Sequence, residues 1–214
     1  MPVGWRLPHR WVADPEVQGN FEAIERQIGA APDAVVTSMP AASAELEGAT
    51  VDYLADAANG VVWRFRCRFA GNASAYKWEF VGGSALQDSI SNEGAKTAAV
   101  GLTYYDFTAP VQVTLPLAGD YEVQVSGNRI QSNTTYGSIY IRHFASAGAW
   151  AVDHNDQGFA HITYQFQHAP VSIMSTLAGA TAGATVNVKY THAGTVQAVN
   201  YTQVVLRVRP VRVS

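Results

Sequence analysis

Cysteine occurs once in the 214 residues, at Cys67, so no internal disulfide can form and no Cys-rich zinc site can be assembled. The fold must rest on packing. Charge is scarce too: 14 Lys and Arg stand against 17 Asp and Glu, a net charge of −3 with only 14% of residues charged. A field that weak and mixed in sign does not draw nucleic acid or an anionic membrane surface nonspecifically, so neither is an expected partner. No apolar run approaches the roughly 20 residues that span a bilayer, and the opening MPVGWRLPHRW lacks the basic-then-apolar form of a signal peptide. Membrane insertion is not expected, and folding in a cytoplasm is. In that setting the N-x-[ST] matches at Asn72, Asn133 and Asn200 read as chance.

What the chain does have is apolar residues at 48%, enough for a single domain to bury roughly 70% of its unfolded surface. Residues 1–30 read as an extended anchor and a short helix. Trp5 and Trp11 punctuate the extended part, and Asp14-Pro15-Glu16 forms a helix start: a side-chain cap, a ring at the first turn, and an acid for the dipole. Val17, Phe21, Ile24 and Ile28 then follow spacings of four, three and four, a seam of two heptads that needs a partner surface, either the rest of the chain or copies of itself. Residues 31–50, rich in Ala, Pro and Ser, read as a linker.

Beyond Val51 the period changes to two. In WRFRCRF, Trp63, Phe65, Cys67 and Phe69 alternate with Arg64, Arg66 and Arg68, which predicts a half-buried strand with aromatics inward and guanidiniums outward. Gly71-Asn72 turns the chain, and Tyr76, Trp78 and Phe80 alternate with Lys77 and Glu79, so residues 51–83 are expected to form a β-hairpin module. Residues 84–214 keep the strand texture in VQVTLPL, YEVQVSG, GSIYIRHF, HITYQFQ, TVNVKYT and YTQVVLRVRPVRV, with turn residues between. The expectation is an all-β, antiparallel, jelly-roll-like sandwich with eight strands in roughly the last hundred residues, preceded by the hairpin module and the short N-terminal helix. Pro210 marks an edge or a strand end.

Catalytic patterns are few. His143, Asp153, His154, Asp156, His161 and His168 fall in one stretch, but in a regular strand His161 and His168 point to opposite faces. His143 with the DHNDQG loop is the more plausible metal group, for a sandwich hydrolase, yet the loop has no known ligand spacing and polar loop residues ordinarily satisfy turns, so no metal and no cofactor are expected. G-x-S-x-G, H-E-x-x-H and a phosphate-binding glycine loop are absent, and Cys67 sits on the buried face of its strand. The chain is not expected to be an enzyme. For binding, Arg64, Arg66 and Arg68 could meet an acidic partner or form a solvated face; Arg207, Arg209 and Arg212 pose the same choice. Tyr136 and Trp150, in or beside loops, are the candidates for stacking on a glycan.

Two segments resemble a known group. W-x-x-D-P-E-V-x-x-N-F-E-A-I, carried by Trp11 to Ile24, resembles the amino-terminal segments of tailed-bacteriophage fibre, minor tail and head-fibre proteins. VDYLADAANGVVWRFRCRFAGNASAYKWEFVGG, from Val51 to Gly83, is similar to a small hairpin module of such proteins and is the more specific match. The resemblance implies a non-enzymatic virion component, assembled in the host cytoplasm, often as a homotrimer. Its N-terminus, through Trp5, Trp11, Val17, Phe21, Ile24 and Ile28, would dock to other tail or capsid proteins or join the subunits. Its sandwich would project outward as a short fibre, tail knob or capsid decoration, with host-surface glycan as a further partner. The rival reading is a free, monomeric carbohydrate-binding module.

Overall fold

The computed structural model describes residues 35–97, 104–132, 137–150, 158–162, 170–194 and 198–214. The predicted helix and its seam lie outside these residues. Apart from one 3-10 turn at Ala44–Leu46, the regular structure among them is strand: β1 (Thr50–Asp56), β2 (Val61–Cys67), β3 (Trp78–Gly83), β4 (Leu86–Thr97), β5 (Tyr105–Thr114), β6 (Gly119–Ser132), β7 (Gly137–Ala145), β8 (Ala149–Trp150), β9 (Gly158–Ile162), β10 (Val171–Ala180), β11 (Thr185–Gly194) and β12 (Ala198–Val213). The larger of two antiparallel sheets runs β1-β2-β3-β12-β6-β10-β8, with β4 also paired to β12; the smaller runs β5-β11-β7-β9. The all-β sandwich expected from the period-two texture is what forms.

Alternation decides what the sandwich buries. From the larger sheet Val123 and Val125 of β6, Ile173 and Leu177 of β10, and Val204, Leu206 and Val208 of β12 enter the core; Val111, Val113, Val186 and Val188 enter from the smaller. Rings join the sheets: Tyr201 of β12 stacks within 4.8 Å of Tyr190 and 5.4 Å of Phe107, both on the smaller sheet. Burial pushes the Tyr201 phenol well above its ordinary pKa.

β2 and β3 pair antiparallel and are continuous with the body, because β3 pairs with β12 through Trp78 and Val213. Trp63, Phe65, Cys67 and Trp78 are fully buried. Phe69, expected on the same face, is exposed instead. Its amide and that of Ala70 donate to Glu47 Oε2, at 2.6 and 2.8 Å, and the chain leaves the strand there.

Residues 35–49, expected as a linker, form a strap over the hairpin. Val36 makes a parallel bridge to Tyr53, and Gly48 and Ala49 exchange backbone bonds with Cys67 at 2.9 and 2.8 Å. Trp78 Nε1 donates to Pro40 O at 3.0 Å, and Val36, Met39, Ala42 and Leu46 pack on the core. The apolar members of a mostly small and polar segment cover a sheet face that would otherwise leave tryptophan in water.

Pro210 lies in the middle of the sheet rather than at its edge, and the topology accommodates it. On one side it faces Tyr121 of β6; on the other, β4 pairing ends at Val208 and β3 pairing begins at Arg212. A residue without an amide proton thus stands in the gap between two partner strands.

Candidate functional site

Burying Trp63, Phe65 and Cys67 turns Arg64, Arg66 and Arg68 to the outer face of the larger sheet. Register then carries that face across the sheet. Arg66 stands opposite Glu79 of β3, Glu79 opposite Arg212 of β12, and Arg212 opposite Asp120 of β6, a row of alternating charge across four strands.

The guanidiniums are largely taken up within the chain. Arg64 grips Asp52 with two parallel bonds, Nε to Oδ1 and Nη2 to Oδ2, each 2.7 Å. Arg68 lies 3.4 Å from Glu79, Arg209 pairs with Glu122, and Arg212 Nε donates to Asp120 Oδ2 at 2.6 Å. Arg207 Nε donates to Gln87 Oε1 at 2.9 Å. Among the described residues Arg66 has no ion pair and Arg207 has no carboxylate partner. The hydrogen bonds from Arg64 hold the Asp52 carboxyl below the usual carboxylate range.

Asp120 differs from the other acids on this face. It is only 8% exposed, and its Oδ1 accepts the Gly179 amide of β10 at 2.9 Å while Oδ2 takes Arg212. One carboxylate therefore ties β6, β10 and β12 together. Of the acids in this lattice, Glu79 was visible in the alternation of Tyr76 to Phe80; Asp52, Asp120 and Glu122 came only from the register.

Burial pushes the Cys67 thiol up, and its Sγ contacts Ser43 O of the strap at 3.9 Å, the setting of an inert thiol. His143 belongs to β7 opposite Val188, His161 to β9, and Trp150 to β8 opposite Leu177, but their side chains lie outside what is described. So do Trp5, Trp11, Val17, Phe21, Ile24, Ile28, Tyr136, Asp153, His154, Asp156 and His168. Among the described residues no group of three His, Cys, Asp or Glu is placed to hold a metal.

No known protein family and no curated protein matches the sequence. Solved structures give distant likenesses. The chain is similar to the Eiger TNF of S. frugiperda at a TM-score of 0.37 and 8% identity, over 61% of this chain and 95% of that one. It is similar to the tripod (BppUct-A-L) from the baseplate of bacteriophage Tuc2009 at 0.34 and 11%, over 98% and 99%. A third likeness, at 0.26 and 13%, covers 60% of this chain and 27% of the CBM22-1-GH10 modules of Clostridium thermocellum xylanase 10B. At these scores none of the three carries an argument about function.

Proposed function

We propose that the chain is a non-enzymatic structural component of a tailed-bacteriophage particle. Residues 1–30 dock it to other tail or capsid proteins and gather three copies, and a jelly-roll-like sandwich faces outward for attachment to host-surface glycan. The observation that supports this reading is the similarity of Val51–Gly83 to the hairpin module of phage fibre and head-fibre proteins. Its motif residues carry the local fold: Trp63 and Trp78 are buried, Glu79 pairs with Arg68, and Gly83 closes against the Val62 carbonyl. The likeness to a phage baseplate tripod protein stands beside it without adding weight.

The test uses particles grown without this gene and supplied with the chain in trans, either whole or lacking residues 1–30. The whole chain is expected to band with the particles on a density gradient, and the truncated one to stay in the soluble fraction. A whole chain that also stays soluble contradicts the proposal.

A further inference from the structure

The larger sheet forks at β12, where β3 and β4 share one side of that strand. At the fork lies a cleft of about 530 Å³, walled by the β1–β2 turn, the start of β4 and the end of β5. That volume falls within the roughly 300–1,000 Å³ of small-ligand clefts.

Its chemistry is selective. Among the described residues two carboxylates line it and no Lys or Arg does. Both are held in place: Asp56 Oδ1 accepts the amides of Ala58 and Asn59 at 2.9 and 3.1 Å and its Oδ2 accepts Asn59 Nδ2 at 2.7 Å, while Asp88 accepts the amides of Ser89 and Gln112, each at 2.8 Å. A carboxylate oxygen has two lone pairs, so Asp56 Oδ2 and both oxygens of Asp88 each retain one toward a ligand's hydroxyl groups. The Gln112 amide points across the cleft to Asp88, so β5 presents its edge away from β11, and Thr114, two residues on, turns its peptide group the same way. The side chains of Gln112 and Thr114 are exposed and make no hydrogen bond among the described residues. Leu86 and Val113, both buried in the core, close the floor of the cleft.

Carboxylate acceptors, uncommitted amide and hydroxyl groups and, among the described lining residues, no cation together describe a site for a neutral ligand dense in hydroxyls. We propose that this cleft binds a neutral saccharide of one or two rings. Carboxylates without a neighbouring cation repel an acidic sugar, and the Gln112 amide and Thr114 hydroxyl can bond to the hydroxyls of a neutral one. The assignment gives the glycan attachment proposed above a place on the molecule and rests on that part of the reading.

The test applies the full chain to a printed array of neutral glucose, galactose and N-acetylglucosamine oligosaccharides, with sialylated forms of the same glycans alongside. Binding to a neutral glycan is expected, and Gln112→Ala and Thr114→Arg are expected to weaken it about tenfold or more. Both positions are exposed, and thermal melting of each variant checks that the fold is intact. Binding to sialylated glycans alone, binding unchanged in both variants, loss only in Trp150→Ala, or no glycan bound would each overturn the assignment. So would binding that requires added calcium, because Asp56 and Asp88 would then be cation ligands. Particle incorporation of Thr114→Arg is measured separately: a variant that bands with particles but binds no glycan separates the cleft from the virion reading.

Discussion

Removing the Asp120 carboxylate is expected to destabilise the fold more than removing Asp52, although both pair with arginine at under 3 Å. Asp120→Ala leaves the Gly179 amide and the Arg212 guanidinium without their acceptor in a part-buried site, a loss of roughly 1–3 kcal/mol. Asp52→Ala breaks a pair whose arginine side chain is 62% exposed, and about 1 kcal/mol or less is expected. Urea midpoints of the two variants decide the order; equal shifts would count against the account. Acid titration adds a sign. Asp52 and Asp56 are both held below their unfolded value, the second chiefly by the Asn59 side chain and backbone, so their contribution is complete above about pH 4 and is lost as pH falls through the lowered values. Asp52→Asn should therefore flatten the loss of stability below pH 4 and leave the profile above pH 6 unchanged. The arginine stripe itself was legible in the sequence, because alternation in one strand fixes which residues share a face. Its partners were not, because Asp120 lies 92 residues from Arg212, and Glu122 lies 87 from Arg209. Only the strand order brings them together.

Strands with clean alternation, β2 and β12, were readable, and two other elements, β4 and the strap over the hairpin, were not. β4, LQDSISNEGAKT, has few apolar residues and pairs along β12, drawing its place from its neighbour rather than from its own pattern. The strap of residues 35–49 lacks a period because it follows the relief of the hairpin's face, with single residues where pockets occur. A chain beginning at Thr50 is expected to expose Trp78, read as a red shift of tryptophan emission. In it Cys67 should react quickly with iodoacetamide, whereas in the full chain the buried thiol, pushed up in pKa, should react slowly until the protein unfolds. Equal rates in both chains would show that the strap does not guard the hairpin. Close approach supplies a further test. A Cβ on Gly119 would stand 2.3 Å from the Arg212 carbonyl oxygen, where the neighbour is backbone and cannot give way cheaply. Gly119→Ala is expected to cost about 1–3 kcal/mol by thermal or urea melting. Tyr201→Phe should cost less than about 1 kcal/mol, since the phenol's bond to the Thr191 carbonyl is long at 3.5 Å and the ring packing is kept.

For the whole molecule, composition and period were enough for the two-sheet sandwich, because each half-buried strand needs a second apolar face to cover it. The cleft at the fork was illegible in the sequence: its walls come from three separate stretches that only the fold brings together. The virion reading implies an assembly, and light scattering behind size exclusion is expected to give three times the 23.0 kDa chain mass. The chain lacking residues 1–30 should give a single-chain mass, as should Phe21→Asp with Ile24→Asp. The central claim is that this chain is a part of a phage particle, and the measurement that tests it most directly is quantitative mass spectrometry of density-banded native particles. The account predicts the chain among the particle proteins at a fixed copy number divisible by three. Recovery of the chain in the soluble lysate alone, with none in the particle band, would contradict it.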